Sequence, residues 1–257
     1  MTLREDSLDP PPQAHRGPNP SMPAEEYEPN FCFPVKDLES ERVKLTPFIP
    51  SKHAEAFFAL TSPSYDYLPF GPFATADEFV SILVEGRIHP NPECVLFAVY
   101  DKSKTPETGV PDGTIAGAIG YCNSSAVNLV AEIAFVLISP QFQRTHVTSN
   151  AIGLLLHYAL DLPSEGGLGL RRVVWQASPM NGPSIGAAER MGFKKEGLLR
   201  WHYVLKEDKQ TGNGRERRKG DPKPNLLGRD TAVLGLCWDD WEDSEKDRVD
   251  AVMSRRS

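Results

Sequence analysis

The chain is expected to be an α+β (mixed α/β) protein, with a central, mostly antiparallel sheet flanked by helices. Three observations predict this. Short apolar runs, VLFAVY at 95–100, IAFVLI at 133–138 and RVVWQA at 172–177, are bounded by glycine, proline or polar residues and read as buried strands. Residues 131–160 read as one strand–turn–helix unit: Pro140 stops the strand, and Ile152, Leu155, Leu156 and Ala159 then recur at helical spacing. The elements also follow a mixed order, strand, two helices, three antiparallel strands, helix, strand, helix, two strands, with no fixed repeat.

Composition narrows the classes. The chain has 257 residues, 40% hydrophobic content, net charge −7 and a pI near 5.4. This is enough for one sizeable core and lacks the basic footprint of nucleic-acid binding. Cys32, Cys94, Cys122 and Cys237 lie far apart in sequence with no ligand spacing, so no metal is expected. No run approaches a membrane span and no leader-like segment opens the chain. The expectation is a soluble cytoplasmic or nuclear protein, monomeric or homodimeric.

In chain order, residues 1–38 carry many prolines and few apolar residues and read as a disordered arm. The folded domain is expected over 39–257. Val43 and Leu45 alternate with polar neighbours as a half-buried strand, and Ser51 caps a helix through Phe57 and Leu60. The segment SPSYDYLPFGPFAT at 62–75 packs four aromatics between prolines, as a lid or pocket wall would. Thr75 or Asp77 opens a second helix ending at Gly86. Strands at 95–100 and 114–121 flank a polar connection. The turn QRTHVTSN precedes a helix whose apolar periodicity begins at Ala151. A helix starting just past a central strand aims unpaired N–H groups and its positive dipole end outward, which suits a diphosphate. Further on come a helix from Ser184 to Met191 with Gly192 as its terminating glycine, a strand from Lys194 to Leu205 and a mobile charged loop at 206–228. A strand at 229–238 leads into a polar C-terminal helix and tail at 239–257, weakly anchored by Trp241, Val249 and Val252.

Two stretches, SPQFQRTHVTSNAIGLLLHYAL and RRVVWQASPMNGPSIGAAERMGFKKEGLLR, together resemble the acetyl-CoA-binding and following segments of the GNAT superfamily of N-acyltransferases. The nearest likeness is to its ribosomal-protein-acetyltransferase-like branch. Asn181, Ser184, Gly192, Phe193, Glu196 and Gly197 carry the second half of that pattern, and the likeness spans roughly residues 40–242. It implies a splayed central sheet and acetyl-CoA as cosubstrate. The turn departs from the pattern: Gln143 matches, but His146 and Thr148 stand where glycine, or glycine or alanine, is usual. Glycine there lets backbone approach a pyrophosphate.

The resemblance further implies direct transfer to a primary amine. Gln143, Arg144, Thr145, His146, Val147 and Thr148 would hold the diphosphate, with Arg144 and nearby hydroxyls adding contacts. Phe135, Val136 and Leu137 would lend backbone groups to the acetyl and pantetheine. Asn181 would bind the pantetheine arm or fix its turn. Ser184 would lie near the sulfur, or cap its helix, or both. Glu132 would hold the water that takes the amine's proton, unless it is an ordinary edge glutamate. Tyr67, Phe70 and Glu132 would contact the acceptor, expected to be a small molecule and more readily a cationic amine. Tyr67, Tyr121, His146 and His202 are reserve candidates for moving a proton. The rivals are a protein N-terminal or lysine acetyltransferase, a non-catalytic acyl-CoA-binding protein, and an interaction module using the proline arm and the basic residues 215–219.

Overall fold

A computed structural model describes residues 27–60, 65–103 and 112–255. Eight strands form one sheet in the order β1-β2-β3-β4-β5-β6-β8-β7. They are β1 (Leu38–Glu39), β2 (Val43–Pro47), β3 (Val95–Asp101), β4 (Thr114–Ser125), β5 (Val130–Ile138), β6 (Arg172–Ala177), β7 (Lys194–Val204) and β8 (Gly228–Cys237). Every neighbouring pair is antiparallel except β5 and β6. This is the mixed, mostly antiparallel sheet that the apolar runs predict.

The sheet is covered on both sides. One face packs on α3 (His146–Leu160), α4 (Gly182–Arg190) and the C-terminal helix, with Val95, Phe97, Ile119, Tyr121, Ile133 and Leu234 in its core. The other carries α1 (Pro50–Phe58) and α2 (Ala76–Glu78, running on as a wider π-type turn over Phe79–Ile88), with Phe57, Phe79, Leu96, Ala98 and Phe135 beneath. β3 is buried along its whole length, which explains its unbroken apolar run.

Several boundaries differ from the sequence expectation. Ser51 does not cap α1; the helix starts at Pro50, and the His53 ring accepts the Ile49 N–H at 2.8 Å in place of a cap hydroxyl. Thr75 does cap α2, accepting the Glu78 N–H at 3.1 Å. That helix runs two residues past Gly86, to Ile88. α3 begins at His146, ahead of its apolar stripe, because Thr145 supplies the cap. Asn181, not Ser184, caps α4, accepting the Ser184 N–H at 3.2 Å. Gly192 has the φ of +90° expected of a terminating glycine.

Residues 27–38, assigned by composition to the arm, are part of the packed domain; residues 1–26 lie outside the described residues. Phe31 stacks over Tyr121 with centroids 6.1 Å apart, and Phe33 and Val35 pack on the same core. Tyr158 donates its hydroxyl to the Pro34 carbonyl. These apolar residues alternate and cover α3 and β4, so burial offsets the ordering cost that composition alone suggested was too high. The 206–228 segment has no regular structure but is tied down. Lys209 donates to the Tyr65 and Phe70 carbonyls at 2.7 and 3.1 Å, and Asn213 and Arg215 bind Asp230 at 3.0 and 3.1 Å.

The C-terminal helix, Trp238–Asp240 continuing through Trp241–Glu245 into α5 (Lys246–Ser254), is anchored more firmly than its polar sequence suggests. Trp241 and Val249 are fully buried. A side chain at Gly153 of α3 would strike Met253, its Cβ only 2.2 Å from Sδ, so glycine permits the two helices to meet. Asp161 binds Trp241 Nε1, Lys246 Nζ and His157 Nδ1 at 2.9, 2.9 and 2.8 Å. Among the described residues, no helix is long and apolar enough to cross a membrane.

Burial opposes the Asp161 charge, but His157, Lys246 and Trp241 overcome it and pull its pKa down to about 2. Burial likewise opposes charge on His157, but Asp161 and Asp250 prevail and raise its pKa above 6.5. The depressed carboxylate contributes stability that is lost as pH falls through about 2. The raised imidazole contributes stability that is complete below 6.5 and lost as pH rises through its folded value. The helix dock should therefore be strongest between about pH 4 and pH 6.5. Asp161→Asn should lower the melting temperature by roughly 5 °C near pH 5.5, with a smaller difference at pH 8.5, by calorimetry at both pH values. Removing residues 1–26 should leave the melting temperature near that of the full chain, whereas removing 1–38 should lower it by several degrees as Tyr121 and Tyr158 lose their cover.

Candidate active site

The parallel pair β5–β6 holds register only from Val130–Arg172 to Ile133–Trp175. Beyond it the strands have no register partners and part. On the other side of β5, Gly120 faces Ala134 and Ala118 faces Leu137, so β5 carries one more residue than β4 between those pairs. Phe135 takes up the excess with φ +54°. Phe135 and Val136 thus have a register partner on neither side, and their backbone groups border the parting strands. They are two of the three residues expected to lend backbone to the acetyl and pantetheine; the third, Leu137, is instead in register with Ala118.

The turn after β5 is built to expose N–H groups. Gln143 does not reach outward; its amide donates to the Ile138 carbonyl at 2.9 Å and pins the turn to the strand end. Arg144 adopts φ +60°, and its side chain is exposed. Thr145 donates to the Phe142 carbonyl at 2.6 Å and accepts from Val147 N–H at 3.3 Å. Among the described residues, the N–H groups of Arg144, Thr145, His146 and Thr148 have no acceptor. The left-handed residue is Arg144, while His146 and Thr148 are helical and need no glycine. The His146 ring turns away to Asp101 at 3.1 Å, Nε2 to Oδ1, and leaves its backbone N–H beside the other free N–H groups of the turn.

Glu132 lies on the α1–α2 face of β5, opposite in direction to Ile133. It is 7% exposed and accepts from Asn123 Nδ2 at 2.8 Å. Burial pushes its pKa up, against hydrogen bonds from Asn123 and Cys122 and the charge of Arg229. It is therefore a buried carboxylate that holds a proton more readily than an exposed one. Around it stand Cys122, Tyr203 and Arg229; Arg229 lies 5.2 Å over the Tyr203 ring.

Ser184 lies on the opposite face, accepting the Trp175 indole N–H at 3.1 Å, which leaves its own proton free to donate outward. Trp175 is the last residue of β6 in register with β5, so this hydroxyl sits beside the parting strands. Asn181 fixes the turn that positions it. The lid follows the sequence reading in part. Phe70 packs against Phe135 with centroids 6.0 Å apart, and the Arg87 guanidinium lies 5.6 Å over the Phe70 ring. Tyr65 and Phe73 are core residues, Tyr67 is half-buried in the same segment, and residues 62–64 lie outside the described residues.

The reserve candidates fare poorly as proton carriers. Tyr121 is fully buried and donates to the Leu155 carbonyl. His202 is exposed on β7 with Nδ1 3.0 Å from Thr231 Oγ1, and burial and Arg229 lower its pKa. Among the described residues, Cys237, Asp239 and Asp240 alone bring three ligand-type atoms together, and Lys194 already engages Asp240. Sequence reasoning missed Asn123, Arg87, Tyr203 and Arg229. Arg229 carried a faint signal: with Asp230 it is one of two charged residues opening a strand that is mostly apolar beyond them.

Comparison with known proteins agrees with this architecture. The structure overlays on a GCN5-related N-acetyltransferase from Brucella melitensis with a TM-score of 0.67 at 27% identity, covering 90% of each chain. A probable acetyltransferase of the GNAT family from Chromobacterium violaceum overlays with a TM-score of 0.64 at 28% identity, over 91% of this chain and all of that one. A Vibrio cholerae protein assigned as a ribosomal-protein-serine acetyltransferase shares the fold, with a TM-score of 0.53 at 15% identity, over 79% of this chain and 97% of that one. No curated protein matches the sequence. The family model described as acetyltransferase (GNAT) domain matches residues 42–194, more than half of the chain, which therefore belongs to the GNAT acetyltransferases.

Proposed function

We propose that the protein moves an acetyl group from acetyl-CoA directly onto the amine of a small molecule. The observation that carries this reading is the run of unpaired N–H groups at Arg144, Thr145, His146 and Thr148, placed at the end of a strand that has parted from its parallel neighbour. That combination fits a cosubstrate with a diphosphate at one end and a slender arm that lies between strands. Bound acetyl-CoA would supply the thioester whose acetyl carbon the amine attacks.

The remaining work falls to the chain's own residues. The turn N–H groups and the α3 dipole hold the diphosphate, and the exposed Arg144 guanidinium adds a solvent-screened charge. The Phe135–Val136 backbone, freed by the bulge, is the source of a hydrogen bond to the carbonyl oxygen as it gains charge. Glu132 takes the amine's proton, directly or through a water; its raised pKa brings it nearer to that task. Ser184, held by the Trp175 indole, donates to the departing thiolate. The C–N bond forms, the C–S bond breaks, and the amine's proton ends on Glu132 or its water. Phe70 and Phe135 wall the acceptor side. Membership of the ribosomal-protein-acetyltransferase-like branch, suggested by the Asn181–Gly197 pattern, stays part of this proposal.

The test is acetyl-CoA turnover on a broad amine library, read by thiol release. Glu132→Gln should lower turnover ~10²–10⁴-fold with CoA affinity unchanged. Wild-type kcat/KM should rise with pH through an ionisation above the ordinary glutamate range, as Glu132 loses its proton. The variant should lack that step and gain activity only as free amine accumulates. Ser184→Ala should lower turnover less, because a thiolate leaves readily near neutral pH. Absence of thiol release with every amine would overturn the catalytic reading.

Two changes test the turn by calorimetry with CoA. Arg144→Ala should weaken binding by at most about tenfold, since the charge it removes is exposed. Thr145→Ala should weaken binding and cost ~1 kcal/mol of stability through loss of the cap. No detectable CoA binding by the wild type at millimolar concentration would overturn the assignment of the turn.

A further inference from the structure

Arg229 is the most deeply buried arginine among the described residues and makes no ion pair there. It is 6% exposed, and its Nε is buried without a hydrogen bond. Among the described residues, no carboxylate lies within ion-pair distance of it. The other arginines near carboxylates are satisfied: Arg172 by Glu196, Arg215 by Asp230 at 3.1 Å, Arg248 by Glu245 at 3.2 Å. A buried cation left unpaired costs several kcal/mol, so its persistence calls for a reason.

Its placement supplies one. β8 keeps unbroken register with β6 from Ala232 to Cys237, and the extra residues of the β7–β8 bulges lie on β7, so Arg229 still pairs with Tyr203. Ala232 and Leu234 belong to the α3-face core, so Arg229, an odd number of residues away, points to the opposite face. That is the face of Glu132, and the two charges are close enough to shift each other's ionisation. The Tyr203 ring lies against the guanidinium at 5.2 Å, which leaves in-plane N–H groups for a ligand. Arg87, exposed and with no ion pair among the described residues, acts on the same Cys122 and Tyr203. Arg229 acts on Glu132, both arginines act on Tyr203, and Arg87 acts on Cys122. The acceptor side is locally cationic, although the whole chain carries net charge −7.

We infer that the acceptor carries a carboxylate beside its reacting amine, and that Arg229 receives that carboxylate while Glu132 receives the amine's proton. The acceptor class is then an amino acid or a compound with the same paired groups. This deepens the proposed acetyl transfer and rests on it. It runs against a polyamine, whose charges would meet Arg87 and Arg229, and against a protein N-terminus, which has no carboxylate next to its amine. The diphosphate does not compete for Arg229, because the turn at Arg144–Thr148 provides its own donors.

The test uses the full chain and two matched panels, the proteinogenic L-amino acids and their C-terminal carboxamides, with acetyl-CoA and a thiol readout. The wild type should favour at least one amino acid over its amide by roughly 10–100-fold in kcat/KM, the range of a charged, bidentate contact. Arg229→Gln should collapse that ratio towards one, and Arg229→Lys should keep part of it. CoA affinity and melting temperature, measured alongside, should stay near wild type in both variants. A wild type that prefers amides or carboxylate-free amines overturns the inference. So does an Arg229→Gln variant that slows both panels equally and leaves the ratio intact, which would make Arg229 only a tuning charge for Glu132. A second arm needs no turnover: N-acetyl amino acids should raise the melting temperature of the CoA-loaded wild type more than their amides do, and Arg229→Gln should erase the difference. If no amine is acetylated yet this difference is seen, the transfer reading fails while the carboxylate site stands. If neither is seen, both fail.

Discussion

The parting of β5 from β6 after only four register pairs is the constraint on which the rest of the site depends. Antiparallel neighbours on both sides hold the outer strands, so the sheet can open in its middle without losing its frame. Opening leaves backbone groups of the second half of β5 without partners, which in a closed interior would cost about as much as a lost hydrogen bond each. A slot for a ligand turns that cost into binding capacity. The bulge at Phe135 adds to it. A left-handed φ at a bulky aromatic residue costs roughly 1–2 kcal/mol, and the packing of its ring against Phe70 helps to hold it there. Strain and exposed polar groups thus collect where an acyl carbonyl would lie.

The turn beyond β5 shows how a chain without the usual glycines meets the same demand. A left-handed residue is needed to swing the backbone from strand to helix, and Arg144 takes that place. His146 and Thr148 then fall inside the first helical turn, where any L-residue fits. A side chain in the first turn could still crowd an anion. His146 avoids this because Asp101, buried at the end of β3 and also bonded by Ser103, draws the ring aside. The missing glycine is compensated by a contact 45 residues away in sequence.

That contact marks the limit of what the sequence makes legible. Burial on both faces gave β3 its unbroken apolar run, β5 is apolar from Ile133 to Ile138 and β6 over Val173–Trp175, and helix spacing from Ile152 to Ala159 gave α3; these are local signals and were readable. The Asn181–Gly197 pattern was readable for the same reason. Features set by distant residues were not. The start of α3 lay in a polar stretch because, Val147 aside, its first turn carries free N–H groups and a ring drawn to Asp101 instead of core side chains. Residues 31–35 looked like part of a proline-rich arm, though Phe31, Phe33 and Val35 alternate as a packed strand-like segment would. The register that brings Tyr203 against Arg229 is set by a bulge between Leu199 and Tyr203, which no local pattern announces. Glu132 and Ser184 could be named from the family pattern, but their lying on opposite faces of the sheet emerged only from the pairing.

Charge illustrates the same distinction between global and local quantities. A net charge of −7 describes the surface as a whole, and screening confines exposed charges to about 8–10 Å at physiological ionic strength. The acceptor side lies within that distance of only a few groups, and its neighbours are set by strand register. Carboxylates elsewhere are spent on structure: Asp161 on the C-terminal helix, Asp230 on the loop at 213–215, Asp101 on His146. Each is committed to a donor of its own, which leaves the Glu132 surroundings with more positive than negative charge. Low dielectric then magnifies the imbalance, because a buried guanidinium is poorly solvated by water and gains more from an arriving anion than an exposed one would. An acidic protein can therefore carry a locally cationic site, and the local balance rather than the total charge governs which ions are drawn there.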